Sequence, residues 1–383
     1  MFQRSIIKAA LLASCMLAFV LPVHASTVTE CENWPDWKKF RDKFVSADGR
    51  VVDRSIPQHI TTSEGQSYAL LFALIAGDRS AFDSILRWTQ DNLAGGDLTA
   101  RLPAWQWGQL KDGSWGVLDS NAASDADLWI AYALHEAGQL WQSPRYTKFA
   151  GLLAARILQE ETADIPGLGL TLLPGPKGFH PDEATWRLNP SYSPIQIFRR
   201  FASVYPDAGW NRLAQSAIML ITRSMPQGYA PEWMDYQTGK GFRPDRDPSV
   251  AGVGYNAIRV YLWAGMLDKH DPARTLLLNS LAPLGRQVSD HGIWTIEMQG
   301  AKDISRETAP PGFSSALLPF LQSSGFTAAL REQHRRVIAL APQDKTDNYY
   351  DQVLTLFGLG WFDGQYRFDR TGRLIPRWKC TKK

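Results

Sequence analysis

The chain has 383 residues, 44% of them hydrophobic, and its 41 Lys and Arg against 38 Asp and Glu leave a net charge of +3. Charges this evenly balanced create no basic field for nucleic acid, and no arginine stripe suggests one. The sequence also has no Cys/His spacing typical of zinc, no Walker loop and no nucleophile elbow. We therefore expect no nucleic-acid partner, no metal and no other cofactor.

Residues 1–25 have the pattern of an export signal. Two basic residues precede the apolar stretch Ala9–Leu21, and Val23–Ala25 offers a small-residue cleavage site. The stretch is too short for a membrane span of about 20 residues. We therefore predict a periplasmic or secreted protein without stable membrane association. Leu12–Cys15 resembles a lipoprotein box, which leaves lipidation at Cys15 as an alternative.

The rest of the chain repeats one pattern, in which a polar first turn with a capping residue precedes an apolar run. The six repeats cover residues 61–74, 124–134, 189–198, 254–263, 312–320 and 348–357. Amphipathic helices are predicted between them over 81–93, 145–159, 209–223, 272–288 and 327–338. Buried helices that alternate with outer ones predict an all-α fold, an (α/α)6 toroid of six inner and six outer helices. The polar first turns would then share one end, with the aromatic-rich loops over it.

The mature chain, residues 26–383, is predicted to be a single domain, because no linker, charge run or low-complexity break divides it. It keeps Cys31 and Cys380, near its two ends. A closed helical ring brings its first and last elements together, and an oxidising compartment permits a disulfide between these two cysteines. Two free thiols are the alternative.

Glu64 lies in the first of the six polar turns. Ser63 is predicted to cap this helix, with Gln66 three residues later as the partner that a capping box requires. A carboxyl group at the mouth of a buried helix is either a structural cap or a reactive acid. Asp125 has the corresponding place in the second repeat.

Aromatic residues are unusually frequent, with 15 Trp and 12 Tyr. Several lie in segments between the helices, including Trp105, Trp107, Trp115, Trp186 and Trp233. Flat aromatic faces beside polar groups suit sugars, although packing explains each ring taken singly better than sugar binding does. Their concentration near the polar turns favours a polysaccharide cleft.

Long motifs in the chain resemble those of glycoside hydrolase family 8. Ala123–Trp141 resembles the family signature, with a departure at His135, and Thr62–Tyr68 resembles its acid motif. Leu188–Tyr192 and Ala257–Tyr261 also match, and the resemblance extends from about residue 34 to 378. It is greatest to the periplasmic endo-β-1,4-glucanases encoded with bacterial cellulose synthase.

The resemblance implies an (α/α)6 catalytic domain that hydrolyses β-1,4-glucan with inversion during cellulose biosynthesis and secretion. It raises the cellulose synthase machinery as a partner beside the glucan itself. It also implies that Glu64 is the general acid and that Asp125 positions the sugar at the cleavage site. The residues expected to contact substrate are Tyr68, Trp107, Asp127, Tyr192 and Arg259.

Asn256 departs from the family pattern. The resemblance implies a base Asp directly before Ala-Ile-Arg, where this chain has an amide. An amide orients water but does not take its proton, and general-base catalysis is worth roughly 10²–10⁴-fold. The chain is therefore an inactivated variant, a weak or purely glucan-binding protein, or an enzyme that uses another carboxylate. Asp125, Asp245 and Asp247 are the candidates for that carboxylate.

Three hypotheses follow for the function. The first is an endo-β-1,4-glucanase, and the second is a glucan-binding pseudoenzyme. The third is a hydrolase of another β-1,4 polymer, such as xylan, chitosan or mixed-linkage glucan.

Overall fold

The computed structural model describes residues 29–31, 34–225, 228–244, 253–291, 309–340, 348–378 and 380–382. Twelve α-helices lie in these ranges: α1 (Pro35–Phe44), α2 (Ser63–Ile75), α3 (Arg79–Leu93), α4 (Ser124–Leu140), α5 (Pro144–Glu160), α6 (Ile195–Val204), α7 (Trp210–Arg223), α8 (Tyr255–Gly265), α9 (Arg274–His291), α10 (Pro311–Ser323), α11 (Thr327–Leu340) and α12 (Tyr349–Phe362). None of the helices in these ranges is long and apolar enough to span a bilayer.

The even-numbered helices form an inner ring and the odd-numbered helices an outer one, as the sequence predicts. The inner helices α2, α4, α8, α10 and α12 are buried along nearly their whole length. The outer helices bury only one face. Helix α1 was not predicted, and it supplies the sixth outer helix. The (α/α)6 prediction is confirmed.

Aromatic side chains from four inner helices fill the centre of the ring. Trp129 of α4 lies 5.2 Å from Trp263 of α8, between ring centroids, and Trp263 lies 5.1 Å from Phe357 of α12. Phe357 also contacts Tyr68 of α2 at 5.0 Å. The first and last inner helices therefore meet, which closes the ring and gives the polar first turns above it a rigid floor.

Short antiparallel strands, which the sequence did not predict, lie between the helices. They are β1 (Thr29–Cys31), β2 (Thr61–Thr62), β3 (Gln106–Gln109), β4 (Trp115–Asp119), β5 (Thr162–Ile165), β6 (Gly169–Leu172), β7 (Thr185–Leu188), β8 (Met234–Gln237), β9 (Gly241–Pro244), β10 (Tyr366–Phe368), β11 (Leu374–Pro376) and β12 (Cys380–Lys382). The sheets are β2–β3–β4, β5–β6, β7–β8–β9, β10–β11 and β1–β12. Strand β2 leads directly into α2, so the first of the three-stranded sheets borders the polar end of the ring.

The two terminal strands form a unit of their own, apart from the unit of residues 33–378. Strands β1 and β12 pair antiparallel, and their backbone register sets Cys31 opposite Cys380. The disulfide between them stays a prediction. The predicted signal peptide, residues 1–25 with Cys15, lies outside the described residues.

The capping box predicted at α2 is wrong. Thr62 is the cap, because its side chain accepts a 3.1 Å hydrogen bond from the backbone N–H of Gly65. Gln66 is buried instead, where it accepts from the backbone N–H of Val51 at 2.6 Å and donates to Thr89 at 2.9 Å. Buried polar groups need such partners, and this requirement takes precedence over the local capping pattern.

The third inner helix begins later than predicted. Asn189 does cap a turn, because its side chain accepts from the N–H of Ser191 at 3.0 Å. That turn is a 3₁₀ helix of only three residues, Pro190–Tyr192, and α6 starts at Ile195. Pro194 accounts for the break, because the residue before a proline is disfavoured in the helical conformation.

Candidate active site

Four polar side chains have the same position in four inner helices. Glu64, Asp125, Asn256 and Tyr350 are each the second residue of their helix, in α2, α4, α8 and α12. Because the inner helices all begin at one end of the ring, these side chains converge there. The sequence predicted the first three but not Tyr350, although the same rule of position would have found it.

Arg259 lies at the centre of this group, buried to 3% exposure one turn after Asn256. Its Nη1 donates to the Oε1 of Glu64, and to the Oδ2 of Asp125 at 3.0 Å. Its Nη2 donates to the Oδ1 of Asn256 at 2.6 Å. Burial opposes its charge, but nearby phenol and carboxyl groups outweigh burial and hold the pKa of Arg259 above its usual value. One guanidinium therefore links the predicted acid, the positioning carboxylate and the altered base position.

Glu64 uses only one of its two oxygens for these contacts. Its Oε1 accepts from Tyr350 at 2.7 Å and from Tyr68 at 3.0 Å, as well as from Arg259. Its Oε2 accepts no hydrogen bond from any of the described residues, and the side chain is 23% exposed. Oε2 is therefore the oxygen that is free to hold a proton and give it to a ligand.

Asp125 is almost completely buried, at 2% exposure. Its Oδ1 accepts from the N–H of Ala126 at 2.8 Å, and its Oδ2 accepts from Arg259. Burial, followed by repulsion from Glu64, raises the pKa of Asp125 to about 7 although Arg259 opposes the shift. Asp125 and Glu64 share one nitrogen of Arg259, so their nearest oxygens are closer than the roughly 6.5–9.5 Å that inversion requires around its water. This geometry removes Asp125 as a candidate base and fits a positioning role.

Asp127 is not at the cleft, although the family resemblance implied a substrate contact. The side chain is fully buried, and it lies close enough to the fully buried Glu161 for the two carboxyl groups to affect each other's pKa. Burial raises the pKa of both carboxyl groups, and the charge of Asp127 raises the pKa of Glu161 further. With no exposed atom to offer a sugar, Asp127 belongs to the core behind Asp125.

The amide of Asn256 is held in one orientation. Its Oδ1 accepts from Arg259 and, at 3.1 Å, from Asn189, so its Nδ2 must point the other way. Nδ2 donates at 2.9 Å to the Oε2 of Glu232. Glu232 was not predicted, because it lies in a loop without any periodic pattern that would set it beside α8.

Two tryptophans form an aromatic surface beside Glu64. Trp107 of β3 pairs with Thr61 of β2, three residues before Glu64. It stacks on Trp115 with ring centroids 5.2 Å apart, and the guanidinium of Arg50 lies 4.5 Å from its ring. Trp115 is 48% exposed. The sugar-binding role of Trp107 stays a prediction, because its ring packs against Trp115 and Arg50 and contacts none of the site carboxylates.

A second aromatic group lies on the side of Asn256. The ring of Tyr192 is 5.7 Å from the guanidinium carbon of Arg259 and 5.9 Å from the ring of Trp233. Trp233 in turn stacks on Phe179 at 6.0 Å, with the two planes within 3° of parallel. The charged centre thus has aromatic side chains on two sides, from the β2–β4 sheet and from the segment before β8.

Comparison with known proteins identifies similar chains along almost the whole length. The model of glycosyl hydrolases family 8 matches residues 10–364. An endoglucanase of Xanthomonas axonopodis pv. citri (strain 306) is 44% identical over 382 residues, covering 99% of this chain and 98% of that protein. An endoglucanase of Escherichia coli (strain K12) is 42% identical over 362 residues, covering 94% and 95%. The crystal structure of an endo-1,4-D-glucanase from Vibrio fischeri ES114 superposes with a TM-score of 0.85 at 45% identity, covering 90% and 99%.

Proposed function

The chain belongs to glycosyl hydrolases family 8, and on that premise we propose that it is an endo-β-1,4-glucanase that hydrolyses internal bonds of β-1,4-glucan with inversion. The observation that supports this most directly is the state of Glu64. Three donors hold its Oε1, while its Oε2 is free of hydrogen bonds from the described residues. The relatives named endoglucanase, at 42–44% identity over nearly the whole chain, support the same activity.

In the proposed reaction, Glu64 gives the proton on Oε2 to the glycosidic oxygen that leaves. Water attacks the anomeric carbon from the opposite face, so the configuration inverts. Tyr68, Tyr350 and Arg259 fix the carboxyl group, so the proton is delivered in one direction. Positive charge develops on the sugar ring in the transition state, and the ionised form of Asp125 beside Glu64 would stabilise it.

The aromatic surfaces support a flat, extended sugar polymer as substrate. Trp107 with Trp115, and Tyr192 with Trp233, form two aromatic groups near the charged centre, and aromatic surfaces of this kind suit sugar units. A panel of soluble cellulose, xylan, chitosan and mixed-linkage glucan tests the choice of polymer. Preferential release of reducing ends from soluble cellulose supports the proposal, and a strong preference for another polymer contradicts it.

We propose further that the mature chain, residues 26–383, is a single catalytic domain that acts outside the cytoplasm on glucan during cellulose secretion. The apolar N-terminal stretch and the backbone pairing of Cys31 with Cys380 support export and a disulfide. Intact mass spectrometry of protein from the periplasmic fraction tests both points. We expect the mass of a chain that begins at residue 26. Reduction of the disulfide should increase this mass by two hydrogens.

Asn256 favours a second candidate, a glucan-binding protein without turnover. The wild type and Asn256→Asp should be compared on soluble cellulose, with Glu64→Gln as the control that loses the acid. The glucanase proposal expects measurable wild-type hydrolysis that is lost in Glu64→Gln. A binding protein would bind cello-oligosaccharides, show no wild-type turnover, and gain roughly 10²-fold or more in Asn256→Asp.

A further inference from the structure

Glu232 is a carboxylate in direct contact with the altered base position. Its Oε2 accepts from the side chain of Asn256 at 2.9 Å and from the backbone N–H of Asn256 at 3.2 Å. Its Oε1 accepts from the N–H of Ala257 at 2.8 Å. A Cβ at position 254 would lie only 2.8 Å from the carboxyl group of Glu232, so Gly254 makes this approach possible. Glu232 is therefore held at the start of α8, where Asn256 also lies.

The contacts separate Glu232 from the acid. Glu64 is bound to Nη1 of Arg259, Asn256 is bound to Nη2, and Glu232 is bound to the far side of the Asn256 amide. A guanidinium and an amide thus stand between the two carboxylates, whereas Asp125 shares a single nitrogen with Glu64. Inversion requires a water molecule between acid and base. Asp125 lies too close to Glu64 for that water, whereas Glu232 is separated from Glu64 by the two intervening groups.

We propose that Glu232 is the general base of this chain, a role that rests on the proposed glucanase activity. A water molecule beside Asn256 loses one proton to the Glu232 carboxylate while its oxygen bonds to the anomeric carbon. The bond from that carbon to the glycosidic oxygen breaks, and the leaving oxygen receives the proton of Glu64. One water is consumed, and the two carboxyl groups exchange protonation states before solvent resets them.

This role also explains why an amide is suited to position 256. The Nδ2 of Asn256 donates to Glu232, so the carboxylate that accepts the proton is held by a neutral group. An aspartate at 256 would face the Oε2 of Glu232 at hydrogen-bonding distance with no proton to donate. Two carboxylates so close do not both ionise readily. Asn256 and Glu232 are thus a consistent pair, and the substitution does not remove catalysis.

The first test is Glu232→Gln in the full mature chain, assayed by release of reducing ends from soluble cellulose. Glutamine keeps the size of the side chain and an acceptor for one of the two helix N–H groups, so the fold should be retained with a lower thermal midpoint, while kcat should fall about 10²–10³-fold. Asp78→Asn is the matched control. Asp78 also accepts a first-turn N–H, from Ala81 at 3.1 Å at the start of α3, and α3 is an outer helix. We expect it to change the thermal midpoint and leave kcat unchanged.

The second test uses azide, which attacks the anomeric carbon without a base. Glu232→Ala in sodium azide should recover turnover and yield a glycosyl azide of α configuration, which a purely structural cap at α8 would not produce. Glu232→Gln combined with Asn256→Asp should also recover hydrolysis, because the carboxylate returns to the position used by relatives.

The outcomes separate the two proposals. A wild type without turnover overturns the glucanase proposal and the base assignment together. An active wild type whose kcat is unchanged in Glu232→Gln overturns the base assignment alone. Loss of hydrolysis in Asp245→Asn or Asp247→Asn, with Glu232→Gln active, would assign the base to one of those two residues, which lie outside the described ranges.

Discussion

Helix α4 has a buried carboxylate near each end, and each carboxylate is paired with an arginine. Near the C-terminal end of α4, Glu136 accepts from the Nε of Arg200 at 2.5 Å and from the backbone N–H of Leu374 at 3.0 Å. Both oxygens are therefore occupied, and the side chain is fully buried. This pair is balanced, one charge against one, and it joins α4 to α6 and to β11.

At the start of α4, Asp125 has to share its arginine. Arg259 also binds Glu64, so two carboxyl groups face one cation, and Glu64 keeps an oxygen that is open to the cleft. The comparison shows that a buried ion pair is structural when charges and hydrogen bonds are matched. It becomes able to exchange protons when one carboxyl group is in excess and one oxygen reaches solvent.

The strongest test of this contrast exchanges each carboxylate for its amide. Glu64→Gln keeps an acceptor for Arg259, Tyr68 and Tyr350 but loses the acidic proton, so kcat/KM on cello-oligosaccharides should fall about 10³-fold. Glu136→Gln is the matched change at the other end, and its kcat/KM should stay near the wild-type value. Similar losses of activity in both variants would show that the two ends do not differ as described.

Removing the structural carboxylate altogether should affect stability. Glu136→Ala leaves the half-buried Arg200 and the buried N–H of Leu374 without their acceptor, which we expect to cost about 3–5 kcal/mol in the free energy of unfolding. Guanidinium denaturation followed by tryptophan fluorescence measures this loss. The fraction that remains folded should keep the wild-type kcat, and a destabilisation below about 1 kcal/mol would contradict a structural role.

The raised pKa of Asp125 should also affect how the stability of the protein depends on pH. The pKa of Asp125 is raised to about 7 in the folded protein, so between pH 4 and 7 the folded state binds a proton that the unfolded state has lost. The contribution of Asp125 to the free energy of unfolding should therefore fall as pH rises through this window. The raised pKa values of Asp127, Glu161 and Glu136 act in the same direction, and His135, whose pKa is lowered to about 4, acts in the opposite one. Asp125→Asn should therefore make the slope less negative. Equal slopes in wild type and variant, from denaturation midpoints at pH 5 and 8, would contradict this assignment.

The smallest expected effect concerns single tyrosine hydroxyl groups. Tyr350→Phe removes a 2.7 Å donor to Glu64 and should lower kcat by about fivefold, which corresponds to roughly 1 kcal/mol. Tyr132→Phe removes a 2.7 Å bond to the carbonyl of Gly372, away from the site carboxylates. It should cost a similar free energy of unfolding without changing kcat. A comparable loss of kcat in both variants would place Tyr350 outside the site.

Much of the fold follows from the sequence, because an inner helix must be apolar on all sides. That property identified α2, α4, α8, α10 and α12, whose observed starts differ from the predicted ones by no more than about two residues. Helix α6 was misplaced because Asn189 gives a capping signal for a turn that Pro194 stops. The strands have two to five residues, too short for an alternating pattern to be recognised.

The site was predictable in part for a similar reason. Glu64, Asp125, Asn256 and Arg259 lie in motifs at helix starts, and the ring brings them together. Glu232 contacts α8 from a position 24 residues earlier in the chain, and only the tertiary structure determines that contact. The role of Gln66 in satisfying the loop at Val51 depends on tertiary contacts in the same way.

Four site residues each lie at the second position of a separate inner helix, and this has an evolutionary consequence. They are Glu64, Asp125, Asn256 and Tyr350. Their spacing is determined by the packing of the barrel interior, while the hairpins around them contribute the aromatic surfaces. Loops can then lengthen, shorten or exchange aromatic residues across lineages without moving the proton donor. Diversification of polymer preference should therefore concentrate in the segments 95–122, 173–194 and 228–244, whereas residues in the ring interior should change slowly.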